Sequence, residues 1–351
     1  MTQSENSYTF IRTCRRQETE YTPIWLMRQA GRYMKEYRSL RKKHSFLEMC
    51  KTPGLAAEVT LQPVEKLKVD AAIIFSDILL PLEPMGIELE FAKNEGPVFR
   101  NPIRRRDQVD HLRVIEAEED LPFLMEAIRI VRRELEGRVP LIGFSGAPFT
   151  LASYIIEGGH SKNYVLTKTM MYQDPATWRV LMEKLSQTLV RYLNAQIHSG
   201  AQALQIFDSW VGCLSPSDYE NYVMPYSRKV LEGVEKTVPL IHFATSSSTL
   251  LKLMKQAGGD VIGVDWRVDL GAAWAHIGYD RAIQGNLDPV ILTVSIESMK
   301  KEVERILKST QGRPGHIFNL GHGVLPETRV DNVIALVDMV HECSSRIKGQ
   351  R

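Results

Sequence analysis

Two arginines, Arg28 and Arg32, stand four residues apart in the run Met27-Arg28-Gln29-Ala30-Gly31-Arg32, directly after the apolar stretch Pro23 to Leu26. Each guanidinium is a planar fork that can engage a carboxylate through two parallel N–H donors, and Gly31 lets backbone approach a ligand with no side chain in the way. The spacing predicts that both lie on one side of a turn or a new helix, which would recognise anions; a solvated surface helix start shares the same pattern. Asp77, which closes Ile73-Ile74-Phe75-Ser76-Asp77, is expected to bring a carboxylate out beside an apolar wall. There it can stabilise cationic character in a ligand, or serve as a turn or N-cap residue. At an effective dielectric of about 20, charges about 4 Å apart interact by roughly 4 kcal/mol, a ceiling of about a thousandfold in rate.

Three further positions carry donors. Tyr154 follows a glycine-bearing loop, Gly143 to Ser153, and its phenol either donates to a carboxylate or packs as a helix aromatic. Ser209 comes directly after Phe207-Asp208, so its hydroxyl can reach a substrate while Phe207 offers an apolar face to a ring. His322 sits between Gly321 and Gly323, where a lone histidine has little packing duty and is free to work at a cleft. The pair Gly158-Gly159 marks a loop with freedom to move.

These residues need elements to hold them, and the chain supplies a repeating set. Eight short apolar or β-branched runs recur: Ile24 to Met27, Ala71 to Phe75, Pro140 to Phe144, Ala203 to Phe207, Pro239 to Phe243, Val261 to Val264, Ala282 to Gln284 and His316 to Asn319. Helical apolar spacing lies between them, clearest in Leu121 to Leu135, Trp178 to Ile197, Tyr219 to Val234, Ile296 to Leu307 and Val330 to Val340. Eight βα units predict an α/β protein with a single-domain (β/α)8 TIM barrel rather than an open sheet, which would usually carry a glycine-rich turn where Arg28-Gln29 stands. The residues just past each run then line the mouth: Arg28 and Arg32, Ser76-Asp77, Ser145-Gly146, Phe207 to Ser209, Thr245, Asp265-Trp266, Gly285-Asn286 and Gly321 to Gly323. The expected organisation is a polar N-terminal segment at 1–20, the barrel at 21–345 and a short tail at 346–351.

A chain of 351 residues, 44% hydrophobic and 25% charged, has the composition of an ordinary globular protein. No apolar run is long enough to span a bilayer, and the first residues lack the pattern of a secretory signal. Four scattered cysteines, Cys14, Cys50, Cys213 and Cys343, fit a reducing cytoplasm. A net charge of +2 argues against general nucleic-acid binding. The first 50 residues nonetheless hold ten Lys or Arg against five acids, a basic rim that would draw in a small polyanion. His242-Phe243-Ala244 would open a plausible zinc site were Ala244 a cysteine, so no metal is assigned. Phosphate-loop and nucleophile-elbow motifs are missing from the sequence.

Five motifs follow one another in order: P-I-W-L-M-R-Q-A-G-R-Y from Pro23, I-I-F-S-D from Ile73, G-F-S-G-A-P-F-T from Gly143, L-Q-I-F-D-S-W from Leu204 and N-L-G-H-G from Asn319. Together they resemble the uroporphyrinogen decarboxylase family over nearly the whole chain. The resemblance implies a homodimeric barrel that converts the four acetate side chains of uroporphyrinogen III to methyl groups, giving coproporphyrinogen III without metal or organic cofactor. It implies substrate contacts at Arg28, Gln29, Ala30, Gly31, Arg32, Asp77, Tyr154, Ser209 and His322, to which Phe207 is added as an apolar face for a ring; the expected mechanism makes Asp77 and Arg28 the catalytic pair. Met34-Lys35 and Arg329 depart from the usual family pattern outside the motif residues. Two other readings remain: a zinc- and cobalamin-type methyltransferase on a similar barrel, and a non-catalytic tetrapyrrole carrier.

Overall fold

The computed structural model describes residues 8–92, 96–159 and 161–349. Seven parallel strands form one curled sheet: β1 (Ala72–Ile73), β4 (Leu141–Gly146), β5 (Ala203–Asp208), β6 (Leu240–Ala244), β7 (Val261–Gly263), β8 (Ala282–Leu287) and β9 (His316–Leu320), neighbours in that order. The remaining pair, β2 (Leu89–Ala92) and β3 (Gly96–Phe99), makes a separate antiparallel ribbon that the apolar pattern did not reveal.

The eighth position is filled differently from expectation. Ile24 to Met27 is not a strand; only Ile24 makes a β-bridge, to Phe318 of β9. Phe318 N–H donates to the Pro23 carbonyl at 2.8 Å, and Asp70 N–H donates to the Ile24 carbonyl at 2.8 Å, so this segment still closes the gap between β9 and the approach to β1. Regular pairing stops because side chains take over the next amides. Leu26 N–H goes to Gln29 Oε1 at 3.2 Å and Met27 N–H to Asn319 Oδ1 at 3.1 Å. β1 is cut short in the same way, with Phe75 N–H donating to Thr60 Oγ1 at 2.8 Å. Buried amides must be paired, but a side-chain acceptor satisfies them as well as a ladder does.

Helices cover the outside, among them Pro53–Leu67, Pro122–Glu134, Pro148–Glu157, Pro175–His198, Ile296–Ser309 and Val330–Gly349. Four of these begin with proline, whose missing N–H costs nothing in a first turn. The last helix runs to Gly349, past the expected boundary at 345. Residues 1–7, 350 and 351 lie outside the described residues, as do parts of the expected terminal segments that contain them.

The barrel interior has its own core. Phe10, Ile11 and Cys14, on the short helix Thr9–Cys14, pack with Trp25, Ala71, Ile142, Ala203, Ile241, Val261, Ala282 and Ile317. The N-terminal segment therefore contributes a plug, where sequence suggested only a polar lead-in. Above this layer a chain of amides crosses the interior: Trp25 Nε1 donates to Gln284 Oε1 and Gln284 Nε2 to Gln205 Oε1, both at 2.9 Å. Replacing Phe10, which is fully buried, by Ala should cost about 3–5 kcal/mol, seen as a lower urea midpoint with little change in the folded spectrum.

Candidate active site

The segment after Trp25 turns sharply because Gln29 holds it down. Gln29 is buried; besides accepting from Leu26 N–H, its Nε2 donates to the Ala71 carbonyl at 3.2 Å. Tyr33 hydroxyl donates to the Gln29 carbonyl at 2.6 Å, and Gln29 N–H closes a turn onto the Leu26 carbonyl. Gln29 was expected among the ligand contacts, but its side chain is committed to the fold. The turn throws Arg28 outward with φ +59°, a conformation that a residue with a Cβ adopts at a cost. Such strain is held by the surroundings and marks a site where the side chain's aim matters.

The two arginines do not share a helical face. The helix Lys35–Arg41 starts only after Arg32, whose carbonyl accepts from Arg38 Nη1 at 2.9 Å. Arg32 is exposed and its charge acts on Tyr37, whereas the charge of Arg28 acts on Asp77, Tyr154 and His322. Ala30 is half-buried against the core, and Gly31 lies beside the Arg28 carbonyl.

Asp77 is a turn residue and a pocket carboxylate at once. Its Oδ1 accepts from Leu79 N–H at 2.9 Å, and its carbonyl accepts from Leu80 N–H at 3.3 Å. Burial pushes its pKa up to about 6, against the opposing pull of the Leu79 bond and the Arg28 charge. Tyr154, on the helix Pro148–Glu157, is half-buried, its ring 5.7 Å from Trp210 and 6.2 Å from Phe99. Burial, then the Asp77 charge, pushes the phenol up to about 12, so it stays a donor at neutral pH. Trp210 shares a side-chain hydrogen bond with it, a smaller and opposing influence. Trp210 carried no expected role, although its place directly after Ser209 was the available signal.

Phe207, next to last in β5 before Asp208, meets Phe144 and Phe243 edge-on, at 5.6 and 5.9 Å between ring centroids, so the strands present an aromatic floor. Ser209 follows, its carbonyl accepting from Thr245 Oγ1 at 2.6 Å. His322 is exposed at the rim; the protein around it, then the charges of Arg28 and Arg267, push its pKa below the usual imidazole value, leaving a neutral ring at pH 7.

The glycines flanking His322 have a packing reason. A Cβ on Gly323 would strike the Arg28 side chain, 2.6 Å from Cγ, and a Cβ on Gly321 would strike Trp266, 2.8 Å from Cε3. The His322 loop is thus wedged between the Arg28 turn and the Trp266 loop. Gly323→Ala should displace Arg28 and lower kcat/KM roughly tenfold, with a melting temperature within a few degrees of the parent; unchanged kinetics would show that the wedge does not position Arg28.

Among the described residues, no group of three or more His, Cys, Asp and Glu side chains is arranged to hold a metal ion. No helix among them is long and apolar enough to cross a membrane.

Fold and site together define an α/β-barrel protein whose strand ends carry the Asp77 carboxylate with a guanidinium, a phenol, an imidazole and aromatic rings. Residues 5–343 match the family model of uroporphyrinogen decarboxylase (URO-D). A uroporphyrinogen decarboxylase from Carboxydothermus hydrogenoformans is 61% identical over 96% of this chain and 97% of its own, and one from Sorangium cellulosum 56% identical over 95% of each. The chain belongs to the uroporphyrinogen decarboxylase family. A methyltransferase from Methanosarcina mazei shares the fold, with a TM-score of 0.80 at 18% identity over 95% of this chain and 97% of that one.

Proposed function

We propose that the chain decarboxylates the four acetate side chains of uroporphyrinogen III to give coproporphyrinogen III. The observation that carries this reading is the placement of Asp77, which feels the Arg28 charge and whose own charge acts on Tyr154, at the mouth of a barrel matched by the family over residues 5–343. The substrate is a reduced macrocycle with carboxylates on its rim and four pyrrole N–H groups at its centre. A carboxylate accepts from those N–H groups, while guanidinium, phenol, hydroxyl and imidazole donors serve the rim. Arg28, Arg32, Tyr154, Ser209 and His322 are the donors assigned to it, with Phe207 against a ring face. The backbone of Gln29, Ala30 and Gly31 shapes the Arg28 turn.

In this mechanism a proton adds to a pyrrole ring carbon, making an iminium-like cation. The acetate C–C bond then breaks, CO2 leaves, and its electron pair forms an exocyclic methylene that neutralises the cation. Protonation of the methylene gives methyl, and loss of the ring proton restores the pyrrole; one proton is consumed per CO2. Asp77 stabilises the cation, and Arg28 holds the leaving carboxylate or assists proton delivery.

Anaerobic incubation with uroporphyrinogen tests the reading: CO2 and coproporphyrinogen are expected, whereas a carrier would bind without releasing CO2. The methyltransferase reading would require zinc, and Ala244 stands where its cysteine would be. Stoichiometric zinc in the active protein would favour it. A homodimer is the expected assembly, with a solution mass twice that of the chain. The cytoplasm is the expected location, in keeping with four free cysteines.

A further inference from the structure

A further guanidinium is built into the rim beyond the residues assigned above. Asp265, past β7, is buried; its Oδ2 accepts from Ser246 N–H at 2.7 Å and from Arg267 Nη1 at 2.5 Å. Arg267 N–H donates to the other carboxylate oxygen at 3.2 Å, while Asn286 Nδ2 holds the Asp265 and Val268 carbonyls at 2.8 and 2.7 Å. The Arg267 guanidinium lies 4.0 Å from the centroid of the Trp266 ring and remains 48% exposed. An arginine fixed on one side by a buried carboxylate and on one face by an indole has lost its rotamer freedom before any ligand arrives. The ion pair uses Nη1 alone of its three nitrogens. Trp266 abuts Gly321 just as Arg28 abuts Gly323, so the two guanidinium-bearing loops flank the His322 loop.

We propose that Arg267 is a substrate-binding residue that takes a rim carboxylate of the macrocycle on the opposite side of His322 from Arg28. Its charge, like that of Arg28, already acts on His322. The proposal rests on the reading of the substrate as a porphyrinogen polycarboxylate. The competing account is that Arg267 only neutralises buried Asp265, and the tests separate the two.

Arg267→Gln is expected to raise KM for uroporphyrinogen about tenfold with a much smaller change in kcat, and to weaken anaerobic uroporphyrinogen binding, read by tryptophan fluorescence, by a similar factor. Arg267→Lys should fall between, since an ammonium keeps the charge but loses the fork. The double variant Asp265→Asn/Arg267→Gln leaves no unpaired buried charge; it should keep the raised KM. A KM within twofold of the parent in Arg267→Gln, or restored in the double variant, overturns the proposal. Parent turnover in the same assay tests the substrate reading separately, since a parent that binds uroporphyrinogen without turning it over refutes the activity and still lets the fluorescence titration decide Arg267.

Discussion

Replacing Asp77 with Asn is expected to lower kcat for uroporphyrinogen by about a hundredfold to a thousandfold while making the folded protein more stable above pH 6. The first half follows from losing the anion that faces the cationic intermediate, where roughly 4 kcal/mol is the ceiling for one close charge pair at moderate dielectric. The second follows from linkage. Folding raises the Asp77 pKa from 3.8 to about 6, so the native state favours the neutral acid. That preference adds stability below pH 4 and is lost as pH rises from about 4 to 6. A shift of that size corresponds to about 3 kcal/mol in a dry site, and the open mouth reduces it to about 1–2 kcal/mol. Asn carries no charge at any pH, so its gain appears where the parent carboxylate is ionised. A variant both slower and more stable at pH 7.5 distinguishes a functional carboxylate from a purely structural turn residue, whose loss would destabilise. In the parent, activity should rise with pH through about 6 as the carboxylate forms. Near-normal turnover in Asp77→Asn would end its assigned role.

Arg28→Gln is expected to cost about a hundredfold in kcat/KM, the size of a lost charge-assisted bidentate contact of about 3 kcal/mol. Its pH signature is more specific than its rate. Arg28 lowers the pKa of both Asp77 and His322, so its removal must raise both. The acid limb of the pH–rate profile should therefore move to higher pH, and the His322 titration, read by NMR, should move toward the ordinary imidazole value. Arg28→Lys keeps the charge and should leave both pKa values near those of the parent while losing the fork. Unmoved titrations in Arg28→Gln would show that the guanidinium does not face these groups.

Much of the barrel was legible in sequence because a buried parallel strand must be apolar along its length and must end in polar or glycine residues where the chain leaves the sheet. That is why seven of the eight apolar runs coincide with strands and why strand ends alone made Asp77, Phe207, Ser209 and His322 candidates. The first run misled for a local reason. Ile24 to Met27 has a strand's composition, yet Gln29 and Asn319 claim its amides, and side-chain competition for backbone leaves no trace in hydrophobic periodicity. The Gln29 side chain shows the same cause at work: a polar residue in a recognition motif can be holding the motif's shape.

By itself the sequence determined the barrel, its mouth and the identity of the groups that can do chemistry, since periodicity and residue type are local properties of the chain. Tertiary structure alone decided which groups feel one another. Arg28 acts on Asp77, Tyr154 and His322, which are separated from it by tens to hundreds of residues, and Arg32 does not, although it lies four residues away. Charge interactions fall with distance through space and burial removes the solvent that would screen them, and neither quantity is written in the spacing of residues along a chain.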